Sequence, residues 1–124
     1  MTGFVVFAHG SRIEAANEAV RAVSARMVKM LADAGDSIIE TAFLELGTPD
    51  LPAAVNRLIE RGAGRFVVIP YFLTLGRHVE RDLPAIVQEI SRRHGGIAIE
   101  ITRPLDGHPA LVEIVLERAR GALK

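Results

Sequence analysis

RFVVIPYFLTLGRHVERDLP, residues 65–84, is the stretch whose reading decides the fold. A short apolar run at 66–69 is stopped by Pro70, and a loop broken by Gly76 follows. Then comes His78, and after it a segment that reads as the start of a helix, with Asp82 and Pro84 marking its first turn. Continuous apolar runs are the mark of strands buried on both faces of a parallel sheet, and ligands in open α/β sheets sit beyond the carboxyl ends of such strands. His78 is therefore expected where chemistry is usually placed, and the rest of the chain is read for its partners.

Working outward, residues 3–8 are apolar throughout, like a central strand, and His9-Gly10-Ser11-Arg12 ends the run. From Ile13 the period becomes helical, with Ala16, Ala19, Val20, Val23, Met27 and Met30 on the expected apolar face and Gly35 as the stop. Residues 37–44 read as a second strand that carries Glu40 and Thr41 inside it. Thr48-Pro49-Asp50-Leu51-Pro52 has the cap and proline chemistry of a helix start. Leu51, Ala54, Val55, Leu58 and Ile59 give that helix its apolar stripe, and Gly62 its end. The helix after residue 82 buries Leu83, Ile86, Val87 and Ile90 and closes on Arg92-Arg93-His94-Gly95-Gly96, cations facing the negative pole of the helix dipole. Ile97, Ile99 and Ile101 alternate with polar or small residues, as in a strand with one wet side. A turn at 104–109 leads to a last helix with Leu111, Ile114, Val115, Arg118, Ala119 and Ala122.

Four β-α units in succession predict one α/β domain spanning residues 1–124, with a parallel sheet, right-handed crossovers and helices on both faces. Strands one and three are apolar on both sides and belong in the centre; strands two and four carry polar residues and belong at the edges. The order 2-1-3-4 satisfies this and matches the doubly wound, flavodoxin-like pattern, whose switch point lies between strands one and three. His9 and His78 then flank one crevice.

Composition narrows the classes. The 124 residues contain no cysteine, which excludes a disulfide scaffold, a thiolate metal site and a cysteine nucleophile within this chain. Fifteen basic and fifteen acidic residues cancel, so no strong field draws the chain to nucleic acid or to an anionic membrane. The start, MTGFVVFAHGSR, has no basic leader before its short apolar run, and a cytoplasmic location is the expectation.

Two histidines expected at adjacent strand ends are a stronger signal than either alone. Glu45, at the end of the second strand among apolar neighbours, completes a possible N,N,O set, which suits zinc, cobalt or nickel better than magnesium or calcium. As a lone loop acid, Glu45 reads equally well as solvated or as a helix cap. Other readings are weaker. Residues 9–12 lack the glycine spacing of a dinucleotide fingerprint or a lysine-bearing phosphate loop, and Ser11 lacks a nucleophile elbow. Ala8 stands where a phosphohistidine enzyme carries arginine, and HEXXH spacing is absent. His94 reads as a solvated helix end, and His108 as a turn or cap residue at the start of the last helix.

FAHGSR at 7–12, TAFLELGTPDLPAAV at 41–55, VVIPYFLTLGRHVERDLP at 67–84 and PLDGHPAL at 104–111 resemble the short form of the sirohydrochlorin cobaltochelatases, the small class II tetrapyrrole chelatases. The likeness covers nearly the whole chain in the same motif order. It implies a flavodoxin-like, chelatase-like three-layer domain. It also implies ATP-independent insertion of cobalt, or in some members nickel or iron, into sirohydrochlorin, with no cofactor beyond the divalent metal substrate. Longer relatives hold two such domains with the tetrapyrrole between them, and the resemblance implies that the short form builds the same cleft as a homodimer. The family's active-site histidines fall on His9 and His78, and Glu45 becomes their acidic neighbour, as ligand or proton acceptor.

Sirohydrochlorin is a flat macrocycle edged with carboxylates, so a site for it needs an apolar surface rimmed by cations. Leu46, Phe72, Leu73 and Leu75 are the candidates for that surface, and Arg12, Arg77 and Arg81 for carboxylate pairing. The competing function class is a non-catalytic carrier or regulatory module that binds metal or tetrapyrrole in the same pocket.

Overall fold

The computed structural model describes residues 1–31 and 35–124. Its elements follow in the order β1 (Thr2–Ala8), α1 (Glu14–Met30), β2 (Ser37–Phe43), α2 (Leu51–Glu60), β3 (Arg65–Pro70), α3 (Arg77–Arg93), β4 (Ile99–Ile101) and α4 (Pro109–Ala122). The four strands form one parallel sheet in the order β2-β1-β3-β4, the order expected from strand composition.

Parallel pairing in register puts Val5, Phe7, Ala42, Phe66 and Val68 on one face of the sheet. There they pack against Leu51, Ala54, Val55 and Leu58 of α2 and Leu83, Val87 and Ile90 of α3, forming the main core. The opposite parity gives Val6, Ala8, Ile39, Phe43 and Val67, also buried, on the face that α1 covers. Gly3 lies in β1 where Leu58 crosses it: a Cβ there would sit 2.9 Å from the leucine Cδ1. Glu40 stays on edge strand β2 because Arg57 and Arg61 of α2 meet its carboxylate at 3.4 and 3.2 Å.

The structure corrects three local expectations. α3 begins at Arg77, with extended Gly76 as its N-cap and Glu80 N–H donating to Gly76 O at 2.9 Å, so Asp82 and Pro84 lie inside the helix. Burial of Leu83, Val87 and Ile90 along one stripe outweighs the single i→i−4 bond that proline removes. In α1 the buried residues are Asn17 and Ser24, with Val20, Val23 and Met27 half-buried beside them, while Ala16, Ala19 and Met30 are exposed. The helix is rotated so that these two polar side chains reach partners: Thr41 Oγ1 donates to Ser24 Oγ at 2.7 Å. The helix ends at Met30, and the expected continuation toward Gly35 crosses residues 32–34, which lie outside the described residues. Finally, β4 is only three residues long and starts at Ile99 rather than Ile97.

α4 forms as expected but buries none of its residues, leaving Val112, Ile114, Val115 and Leu116 exposed. Among the described residues no helix is long and apolar enough to cross a membrane.

Leu58 is fully buried at the point where α2 meets β1, so Leu58→Ala is expected to destabilise the fold by roughly 2–5 kcal/mol. Urea unfolding with an unchanged m-value checks this; a loss below about 1 kcal/mol would contradict the core assignment.

Candidate active site

The hydrogen-bond ladder between β1 and β2 runs on past the strand ends. Leu44 N–H donates to Ala8 O at 2.9 Å and Glu45 N–H to His9 O at 3.0 Å, so His9 and Glu45 leave the sheet side by side. His9 Nε2 lies 3.5 Å from Glu45 Oε1. Gly10 makes this approach possible: its φ is +94°, and a Cβ there would fall 1.7 Å from Glu45 O. The next residue, Leu46, is held in the left-handed region at φ 58°.

The other half of the site comes from β3 and α3. Pro70 pairs with Phe7 at the end of β3, and Tyr71 N–H then donates to Phe7 O at 2.7 Å, which directs the loop toward the head of α3. His78 lies in the first turn of that helix, and Asp82 one turn further on, so His78 Nε2 meets Asp82 Oδ2 at 2.9 Å. Arg81 completes the group, with Nη2 at 3.1 Å from His78 Nδ1 and Nε donating to Asp82 Oδ1 at 3.0 Å. A guanidinium is a donor only, so Nδ1 accepts, and the ring proton sits on Nε2, facing Asp82.

Both halves open onto one cavity of about 390 Å³ lined by Phe7, His9, Leu44, Glu45, His78, Val79, Asp82, Leu83 and Ile86. The three residues expected to share work thus line one cavity, and with Asp82 they make two histidine–carboxylate pairs. Among the described residues no three histidine or acidic side chains stand close enough to form a ready cation cage. Of the other candidates, none lines the cavity. Leu46 and Leu73 are exposed, Leu75 is half-buried, and Arg12, Arg77 and Arg81 are exposed. Phe72 packs inward, its ring 6.1 Å from Phe7, and so supports the cavity wall.

Asp82 was hidden in the sequence by the expected helix boundary. Once the helix is known to start at Arg77, its i,i+4 spacing from His78 is the signal. Asn17, which falls between the apolar positions of α1 in the sequence, is 1 % exposed and hydrogen-bonds to both loops that carry His9 and Glu45. Nearby, Glu14 is held below its ordinary carboxyl pKa, first by the Arg21 guanidinium and then by the Asn17 amide.

The parallel α/β domain thus carries one histidine–carboxylate pair just past the ends of β1 and β2 and a second in the first turns of α3, both on the cavity at the carboxyl ends of the strands. The CbiX family model matches residues 3–122, and the chain belongs to the CbiX family. It is 34% identical to a chloroplastic sirohydrochlorin ferrochelatase of Arabidopsis thaliana over 98% of this chain and 52% of that protein. A sirohydrochlorin cobaltochelatase of Sulfolobus acidocaldarius is 30% identical over 99% of this chain and 94% of its own length. The crystal structure of a putative cobalamin biosynthesis CbiX protein from Marinobacter aquaeolei VT8 superposes with a TM-score of 0.84 at 27% identity, covering 99% of this chain and 98% of that one. The chain therefore spans about half the length of the Arabidopsis relative and nearly the whole of the other two.

The Gly10 geometry makes a direct prediction. Gly10→Ala should lower stability by about 1–3 kcal/mol and separate His9 from Glu45, because both φ and the Glu45 carbonyl oppose a Cβ. Gly64→Ala, where a Cβ meets nothing within 4 Å, is the control and should be close to neutral in the same thermal unfolding experiment.

Proposed function

We propose that this chain inserts a divalent metal ion into sirohydrochlorin without ATP, with Co²⁺ the first candidate and Ni²⁺ or Fe²⁺ the others, and that it does so in the cytoplasm with no further cofactor. The observation that carries the reading is the convergence of His9–Glu45 and His78–Asp82 on one cavity in a chain of the CbiX family.

Insertion requires the ion to shed water, the macrocycle to distort so that its nitrogen lone pairs point at the metal, and two pyrrole protons to leave. An imidazole nitrogen that holds metal cannot accept a proton at the same time. Pairing each histidine with a carboxylate separates the jobs: His9 and His78 hold the ion, and Glu45 and Asp82 receive the two protons as coordination passes to the ring. For His78 to offer Nε2, its proton must move to Nδ1, which breaks the contact with Arg81 and releases that guanidinium for a substrate carboxylate. Arg12 and Arg77 serve the same rim, with Leu46, Leu73 and Leu75 beneath the macrocycle and Phe72 behind the wall.

Anaerobic incubation of the purified protein with sirohydrochlorin and each metal in turn, followed by visible spectroscopy, tests the reading. Accelerated insertion is expected, and His78→Ala should bring the rate to the uncatalysed level with the fold intact. Tight binding of metal and tetrapyrrole without acceleration would favour a carrier instead.

A cavity of about 390 Å³ is at the small end for drug-sized ligands, roughly 300–1,000 Å³, and holds the reacting centre of a macrocycle rather than all of it. A second wall from a homodimer fits this need; separately, α4 presents an unburied apolar stripe through which two copies can pair. Val112, Val115, Leu116, Ala119, Ala122 and Leu123 recur at spacings of three and four along one stripe, with Val112 61% and Val115 66% exposed. In an antiparallel two-fold pair of α4 helices centred between Arg118 and Ala119, Glu117 comes opposite Arg120. Sedimentation should show a dimer that Val112→Glu with Val115→Glu converts to monomer; an active monomer in the unmodified protein would defeat the dimer.

A further inference from the structure

We infer that Asn17 is the positioning residue of this site: its buried carboxamide holds the His9 loop and the Glu45 loop in one fixed relation. The kinetic consequence rests on the chelatase reading, while the clamp itself does not.

The two loops belong to different crossovers, one leading from β1 into α1 and the other from β2 into α2. Asn17, in the first turns of α1, reaches both. Its Oδ1 accepts from Ser11 N–H at 2.9 Å, and its Nδ2 donates to Ser11 O at 2.9 Å and to Leu46 O at 3.0 Å. Glu14 Oε2 lies a further 3.3 Å from the same nitrogen. Ser11 is two residues past His9, and Leu46 is the residue after Glu45. One side chain thus closes a ring that contains the His9–Glu45 pair and the backbone bond between them.

The surroundings are shaped for this amide. Leu46 adopts φ 58°, unusual for a residue with a branched side chain, and its carbonyl is the one that accepts from Asn17. A Cβ on Gly47 would lie 2.8 Å from the Phe43 ring and 3.2 Å from Asn17 Nδ2, so glycine leaves the amide its room. An amide with 1% exposure is costly to bury unless its polar atoms are satisfied, and a packing role alone is better served by an apolar side chain. Ser24, the other buried polar residue of α1, bonds instead to Thr41 within β2, two residues short of the strand end. It is an internal control for the loss of a buried hydrogen bond from the same helix.

The experiment compares the unmodified protein with Asn17→Ala, Asn17→Asp and Ser24→Ala by thermal unfolding, amide hydrogen exchange and metal-insertion kinetics with sirohydrochlorin and Co²⁺. Both alanine variants should lose stability. Only Asn17→Ala should speed exchange in residues 9–12 and 44–47 together and lower kcat by about 10–100-fold, with KM changed less than about twofold. Asn17→Asp keeps an acceptor for Ser11 N–H but has no donor for Leu46, so it should release 44–47 and leave the Ser11 amide protected. Exchange at 44–47 in Asn17→Ala equal to that of the unmodified protein, or a fall in kcat no larger than for Ser24→Ala, would overturn the inference. Failure of the unmodified protein to insert metal would count against the chelatase reading, and the exchange data alone then decide the clamp. Should the Asn17 variants not fold, the unmodified protein still decides it: the Ser11 amide must exchange more slowly than that of Arg12, and equal rates would overturn the clamp.

Discussion

Everything at the site depends on β1 pairing in parallel with β2 on one side and β3 on the other. Because all three strands run the same way, their carboxyl ends share one rim, and the residues that follow them must converge there. The pairing does more than align ends. It continues past the sheet through the bonds from Leu44 to Ala8, Glu45 to His9 and Tyr71 to Phe7, so the rim is a backbone-bonded extension of the core rather than a set of free loops. Phe7 bridges the two regions: its backbone pairs with Pro70, its ring meets Phe72, and its side chain both belongs to the main core and lines the cavity.

The polar groups divide into those that fix the rim and those that remain free to react. Asn17 is buried and fully bonded, which suits a group that must not move. His9, Glu45 and His78 are more than half exposed, and the contact between His9 and Glu45 is longer than that between His78 and Asp82. Exposed ion pairs of this kind contribute little to stability, about 0–1 kcal/mol, so rearranging them around a ligand takes little energy. A rigid rim carrying loosely held histidines and carboxylates is the arrangement that the proposed metal transfer calls for.

Much of this was legible in the sequence because hydrophobic period and strand polarity carry topological information. The continuous runs at 3–8 and 66–69 marked the central strands, Glu40 and the alternating isoleucines marked the edges, and the order of the sheet followed. His9, Glu45 and His78, which line one cavity, were picked out for the same reason, as polar residues past the carboxyl ends of strands. Asp82 and Asn17 were not, because each sits inside a helix whose boundary or rotation is set by tertiary packing. Pro84 resembles a helix start in isolation, and only the buried stripe of α3 shows that the helix has already run past it. Asn17 looks like a solvent-facing amide until Ser11 and Leu46 are brought to it from residues 6 and 29 positions away. The period of the apolar residues marked α4 as a helix, but a sequence does not distinguish a surface buried within the chain from one left uncovered by it.

Glu40 has a bearing on how the molecule behaves in concentrated solution. It stands on β2, an edge of the sheet, where unpaired backbone groups offer a template for another chain, and its carboxylate is fixed there by Arg57 and Arg61. A foreign strand laid along that edge would crowd this charged trio and lose its hydration. The opposite edge, β4, is three residues long and offers little backbone to extend. Both ends of the sheet are thereby poor seeds for fibrous growth, which leaves self-association to proceed through side-chain surfaces that close on themselves.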